Sequence, residues 1–299
     1  MTLKIAFLIS GEARNYIYTT FSFKKYIFNY SNDPDIYISF KKNSRNMYSK
    51  DEINKNIIPQ YQIPIDDNIT DKTFLSIMFG ENLKYFGYDD EEYIQKIIKE
   101  KLDSLSSLDS EFKKDEVIGT LDQYARVKNI AEIFERVSSK KYDIIVRLRL
   151  DKLWWVSKLE IEKYINDKTK IYFSYIDFEH KSMINGLVLP NWIQDFFFMG
   201  NTELVLYVMK DFFDKLYTMN KKMVSHNSNN APEIQLGYYV NLNNYIRPYI
   251  IPSNINKNLC SLGIRRKLYL DGYFVGTYND VYKSLKIYFK FLKQNQSYV

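Results

Sequence analysis

The stretch Tyr142-Asp143-Ile144-Ile145-Val146-Arg147-Leu148-Arg149-Leu150-Asp151 decides how this chain folds. Ile144 to Leu150 has the β-branched, apolar composition of a strand buried in a sheet, yet it carries two arginines and stops at an aspartate. Buried guanidiniums demand partners. Strand alternation puts Arg147, Arg149 and Asp151 on one face and Val146, Leu148 and Leu150 on the other, so three charged groups gather near the strand's C-terminal end. In open α/β sheets ligands bind at that end. Two readings compete. Arg149 and Asp151 close the strand as an internal salt bridge, or the two guanidiniums and the carboxylate hold a phosphate-bearing, metal-chelated ligand, which the residue types suit better.

Upstream, Lys4 to Ser10 reads as a first buried parallel strand that runs into Gly11-Glu12-Ala13-Arg14. Gly11 allows a tight turn with close backbone approach to a ligand and Arg14 reaches a phosphate, although an ordinary strand-to-helix turn has the same composition. Thr19 to Tyr30 reads as a helix and Asp35 to Phe40 as a second strand. Leu121 to Ser138 is an amphipathic helix with Val127, Ile130, Ala131, Phe134 and Val137 on one stripe and Asp122 near its start, where a carboxylate favours the helix dipole. Packed antiparallel to the following strand, this helix brings Gln123 and Arg126 to the arginines and Asp151. The plain alternatives are a side chain covering the sheet edge for Gln123 and a surface ion pair for Arg126.

Downstream, Lys170 to Ser174 reads as a strand, and Asn191 to Asn201 is an apolar strand with one carboxylate, Asp195. Asp195 is a catalytic or hydroxyl-binding carboxylate, or a backbone cap. Thr202 to Tyr217 reads as a helix. Pro232 and Glu233 open another, so Glu233 is either helix-start chemistry or a base and sugar-hydroxyl acceptor. Tyr245 to Ile251 and Lys267 to Val275 read as late strands. His226 reads as solvated, and the Arg265-Arg266-Lys267 cluster reads as a solvated charge run or, alternatively, as a contact for diphosphate or membrane phosphates.

Composition narrows the class. With 299 residues, 45% hydrophobic and 17% aromatic, the chain can fill a substantial core, as one large α/β domain or a core with an appendage, and disorder is not expected. The net charge of +6 is scattered, without a long Lys/Arg tract, so it gives no case for nucleic acid. One cysteine, Cys260, excludes an internal disulfide framework and a multi-cysteine metal site. Residues 2–10 lack a signal-peptide pattern and no run reaches the ~18 apolar residues of a membrane span, so the expectation is a soluble, cytoplasmic protein. The less regular region 41–115, with Glu91 to Leu108 at helical spacing, reads as a helical insert.

In order, Ile9-Ser10-Gly11 with Arg14-Asn15, the "DIYISF" strand, "LDQYARVKNIAEIFE" at 121–135, "YDIIVRLRLD" at 142–151, "QDFFFMGN" at 194–201 and "APEIQLGYYV" at 231–240 resemble the WavE-type lipopolysaccharide-synthesis family of glycosyltransferases. The resemblance implies an α/β, GT-A-like fold: a mixed, mostly parallel central sheet with helices on both sides, as one domain over 1–299 that carries the insert at 41–115. It implies transfer of a sugar from a nucleotide-diphosphate donor to a glycan, lipid-linked glycan or other hydroxyl acceptor, with peripheral membrane contact compatible. Gly11, Arg14, Gln123, Arg126, Arg147 and Arg149 would hold the nucleotide sugar, Asp151 would bind Mn²⁺ or Mg²⁺, and Asp195 or Glu233 would serve as the catalytic carboxylate. Many GT-A enzymes carry Asp-x-Asp where this chain has Arg149-Leu150-Asp151. Either Asp151 is the one protein carboxylate on the metal, or Arg149 supplies the positive charge instead, so metal dependence stays open. A non-catalytic nucleotide-sugar or glycan-binding protein on the same scaffold is the alternative, and inversion versus retention is undecided.

Overall fold

A computed structural model describes residues 3–12, 16, 20, 23–24, 27–42, 71–108, 114–150, 152–155, 161, 167, 169–173, 176–177, 183–184, 187–188, 192–193, 195, 197–218, 232–243, 246–250 and 260–263. Its centre is a sheet of seven strands. They are β1 (Ile5–Glu12), β2 (Pro34–Lys41), β3 (Leu83–Tyr88), β4 (Ile144–Leu148), β6 (Lys170–Phe173), β11 (Phe197–Asn201) and β12 (Arg247–Ile250), in the spatial order β12-β6-β11-β4-β1-β2-β3. Only β11 runs against its neighbours, β4 and β6. The pairs β1/β2, β1/β4, β2/β3 and β6/β12 are all parallel. The chain steps outward from β1 through β2 to β3 and then returns to place β4 on the other side of β1. The sheet therefore reverses its winding between β1 and β4, and a crevice opens beyond the carboxyl ends of those two strands.

The sequence explains the layers. β1, β2 and β4 are buried almost throughout and mostly apolar, as strands covered from both sides must be, with Asp35, Ser39 and Arg147 among the buried polar exceptions. Ile145 faces the cluster formed with α2 (Glu91–Leu108), α3 (Lys114–Val137), α4 (Thr202–Lys215) and α5 (Pro232–Leu242). Ile144, Val146, Leu148 and Leu150 face the opposite cluster, with Phe7, Phe23 and Phe28 and with α1 (Asp71–Phe79). Burying each of these large apolar side chains contributes about 1.5–3 kcal/mol. Alternation then leaves Arg147 on the α3 side, opposite Leu8 of β1 in register.

Caps fix the helices over the sheet. Asp90 Oδ1 accepts from the backbone N–H groups of Glu92 and Tyr93, both at 3.1 Å, and starts α2. Asn201 Oδ1 accepts from Glu203 N at 3.2 Å and the Thr202 hydroxyl donates to the Tyr142 carbonyl at 2.9 Å, which anchors the start of α4 beside the start of β4. At that same end, buried Asp35 accepts from the Tyr142 hydroxyl at 2.6 Å and from Lys140 Nζ at 2.9 Å.

Several expectations change. The region 41–115 is no mere insert: it supplies β3, the edge strand, and α2, whose Ile94 and Ile98 are in the core. The helix expected from Leu121 begins at Lys114, so Asp122 lies in its third turn, away from the dipole's positive end, and Val137 is exposed. Asn191 to Asn201 is two strands, β10 (Trp192–Ile193) and β11, with Asp195 in the turn between them. Small ribbons pair β10 with β7 (Ile176–Asp177), β5 (Lys152–Trp155) with β13 (Cys260–Gly263), and β8 (Met183–Ile184) with β9 (Leu187–Val188). Residues 43–70 of the region 41–115, His226, the Arg265-Arg266-Lys267 cluster and the strand expected at 267–275 lie outside the described residues. No helix among the described residues is long and apolar enough to cross a membrane.

Candidate functional site

A crevice of about 420 Å³ lies beyond the carboxyl ends of β1, β2 and β4, a volume suited to a small ligand. Ser10, Gly11 and Glu12 end β1 at its floor, Lys41 ends β2 beside them, and Arg147 and Arg149 come from β4 and the residue after its end. Ile118, Gly119, Asp122, Gln123 and Arg126 of α3 form one wall, with Gln95 and Ile98 of α2. Gly11 has φ +118°, a conformation that side-chain-bearing residues rarely adopt, and a Cβ there would meet no atom within 4 Å. The backbone is thus open toward the crevice. A wider hollow of about 630 Å³ lies at the opposite end of the sheet, around Tyr142, Asp143 and Thr202. The start of β4 and the end of antiparallel β11 line it, whereas in open α/β sheets ligands bind outside the carboxyl ends of the parallel strands.

Arg126 is buried, 1% exposed, and five hydrogen bonds fix it. Nε and Nη2 donate to the two oxygens of Asp122 at 3.1 and 2.7 Å, Nη1 and Nη2 to Glu91 at 2.9 and 3.0 Å, and Nη1 to Asp89 at 2.7 Å. A guanidinium has five N–H groups, so this accounts for all of them. Burial works against its charge and the bonds to Asp122, Glu91 and Asp89 more than offset that cost. Asp89, enclosed with it, also accepts from Asn129 Nδ2 at 2.9 Å. Arg126 therefore binds α3 to the turn between β3 and α2. It does not point a donor at a phosphate, which corrects the expectation that it holds the nucleotide. Burial alone would push the Asp122 carboxyl up. The Arg126 hydrogen bonds and charge, with Lys41 at 3.3 Å, instead hold it below the ordinary carboxylate range.

A second cluster gathers Gln123, Arg147 and Arg149, three of the residues expected together, and joins to them Asp195, which the sequence placed in a strand of its own. Arg147, also 1% exposed, donates to the carbonyl of Asp195 and lies 5.8 Å from the Phe198 ring centroid in a cation–π contact. Arg149 Nη1 lies 3.8 Å from Asp195 Oδ2, and the Gln123 side-chain amide donates to that same oxygen. Asp195 is buried, and its turn places backbone and carboxylate against two different arginines. Gln123, Arg147, Arg149 and Asp195 thus meet at one end of the crevice. Glu233 lies in the first turn of α5. Burial first, and then the Asp195 charge, push the Tyr124 phenol well above its ordinary range. Arg14 and Asp151 lie outside the described residues.

Nothing in the local pattern pointed to Ser10, Lys41, Tyr124 or the Asp89–Asn129 pair. Asp89 opens a run of four acids whose obvious reading is the start of a helix, and its partner Arg126 is 37 residues away, beyond any local pattern. The hydroxyls of Ser10 and Tyr124 are buried and have no hydrogen-bond partner among the described residues, an arrangement that costs about 1–3 kcal/mol for each group.

A divalent cation needs several oxygen donors converging on one point. Among the described residues no group of three or more His, Cys, Asp or Glu side chains is arranged for this. Asp89, Glu91 and Asp122 are engaged by Arg126 and Asp195 by Gln123 and Arg149, so these residues do not fit a resident metal and no step is drawn through one. Compared with known proteins, the chain matches no protein-family model and no curated protein.

Proposed function

We propose that this protein is a glycosyltransferase that binds a nucleotide-diphosphate sugar in the crevice and transfers the sugar to a hydroxyl of a glycan or lipid-linked glycan. The observation that carries the reading is the meeting of Arg147, Arg149, Gln123 and Asp195 at the winding reversal between β1 and β4. A mostly parallel sheet covered by helices on both faces is what a GT-A-like fold requires.

Departure of a nucleoside diphosphate builds negative charge on its oxygens, and Arg147 and Arg149 meet that charge without reorganisation because the fold already holds them. Gly11 lets the backbone approach the diphosphate. Asp195 takes the proton of the attacking hydroxyl, with Glu233 as the second carboxylate available at this end. Asp151 would hold a Mn²⁺ or Mg²⁺ ion, which would supply positive charge to the departing diphosphate.

One observation favours the other reading, a binding module without turnover: Arg126 is fully engaged with carboxylates, which leaves fewer cations for a leaving group. Incubation with a panel of nucleotide sugars, with and without Mn²⁺, separates the two by nucleotide release. Slow hydrolysis of one donor supports the transferase. Binding with no release under any acceptor supports the module.

A further inference from the structure

We propose that the wall where α3 meets α2 is the nucleobase subsite of the crevice, with the base lying against the bare backbone of Gly119 beside Ile118 and its polar edge read by the Gln95 amide. The inference rests on the transferase reading and assigns each half of the donor to its own side of the crevice.

Gly119, Asp122, Gln123 and Arg126 all line the crevice, and their i, i+3, i+4, i+7 spacing makes them one stripe of α3. Contacts of the last three show where the stripe points: Asp122 reaches Lys41, Gln123 reaches Asp195, and Arg126 reaches Asp89 in the turn before α2. A side chain at position 119 would project on the same face. Glycine leaves that space open, since a Cβ built there meets no atom within 4 Å. Its φ is not positive, so the backbone does not require glycine either. Glycine inside a helix is destabilising relative to alanine, and here neither packing nor conformation accounts for it. What its missing side chain provides is room in the crevice.

The surroundings suit a planar ring. Ile118 is 45% exposed, and Ile98 of α2 lines the same space. A sugar there would set its hydroxyls against aliphatic groups, which leaves them unpaired. A base hides apolar faces and shows its polar atoms at an edge. Gln95, exposed and three residues before Ile98 on α2, carries both the donors and the acceptor that such an edge pairs with. The spacing fits a nucleoside diphosphate. Gly119 lies one helical turn, ~6 Å along the axis, from Gln123, which contacts Asp195 at the arginine end of the crevice. Asp122 lies between them on the stripe. Its oxygens accept three hydrogen bonds, from Arg126 and Lys41, and a carboxylate has about four acceptor sites, so one is left for a ribose hydroxyl. Base, ribose and diphosphate thus follow one another along a single face of α3.

The test titrates the parent, Gly119→Leu and Gln95→Ala in a calorimeter with the nucleoside diphosphates of the common bases and with inorganic pyrophosphate, and records melting temperatures. The parent binds at least one nucleoside diphosphate more tightly than pyrophosphate. Gly119→Leu melts at or above the parent's temperature, because leucine replaces glycine in a helix where it meets no protein atom. It nevertheless weakens that nucleoside diphosphate about tenfold or more, the effect of a side chain where a ligand group sat, and leaves pyrophosphate affinity unchanged. Gln95→Ala weakens the preferred nucleotide about tenfold, the worth of one hydrogen bond, and narrows the preference among bases. The proposal is overturned by a Gly119→Leu variant that melts lower, binds the nucleoside diphosphate as the parent does, or loses both ligands equally. An unchanged base preference in Gln95→Ala overturns it too. A parent that binds nucleoside diphosphates and pyrophosphate alike overturns it and leaves the transferase reading standing, whereas a parent that binds neither overturns both.

Discussion

Arg126 and Arg149 both line the crevice, and their neighbours give the two guanidiniums different work. Arg126 has three carboxylates on five N–H groups, and its replacement by alanine leaves enclosed Asp89 without its cation. We expect Arg126→Ala to cost about 3–5 kcal/mol in urea unfolding, the range for breaking a buried pair. Arg149 is half-open, 16% exposed, and faces Asp195 at a distance too long for a hydrogen bond. Arg149→Ala should leave the unfolding midpoint close to the parent's and reduce nucleotide-sugar turnover ~100-fold or more, as loss of a charge-stabilising donor does. Asp195→Asn keeps the Arg147 bond, which goes to its backbone, and should lose turnover by ~100-fold while retaining donor affinity in calorimetry. Equal loss of both would make Asp195 structural. The sequence made Arg147, Arg149 and Gln123 legible because alternation and helix phase are local rules, whereas Asp195 stood out only as a lone carboxylate in an apolar run and its place in a turn was not legible. Arg126 was misread because its partners Asp89 and Glu91 come from a distant turn.

At the scale of an element, the end of β1 and the third turn of α3 carry the crevice. Gly11 sits at φ +118° with open space around it, so Gly11→Ala costs conformational strain rather than a clash, about 1–2 kcal/mol by thermal unfolding. Asp122 ties α3 to Lys41 at the end of β2 as well as to Arg126. Its folded-state carboxyl is held below the ordinary value, so its contribution to stability is complete above about pH 4 and is lost as pH falls through the lowered value. A pH series of urea midpoints should therefore fall less steeply below pH 4 in Asp122→Asn than in the parent, and parallel curves would refute the linkage. Strand β3 escaped notice because Leu-Lys-Tyr-Phe-Gly-Tyr, with a lysine and a glycine inside it, has the mixed pattern of an edge strand rather than a buried run. The long buried strands β1, β2 and β4 and the helices α2, α4 and α5 were legible from apolar runs and caps, which do not depend on distant contacts.

For the whole molecule, the decisive feature is where the sheet reverses. The order of strands cannot be read from composition, since nothing local tells β4 to join β1 on the side away from β2. Once it does, one end of the sheet gathers Gly11, Arg147 and Arg149, while the other gathers Asp35, Lys140 and Tyr142 into a closed polar knot. The most direct test is a crystal structure of the protein soaked with a nucleoside diphosphate. The account predicts diphosphate density between the Gly11 backbone and the Arg147 and Arg149 guanidiniums. Density in the hollow around Tyr142 and Thr202, with none at the ends of β1 and β4, would contradict it.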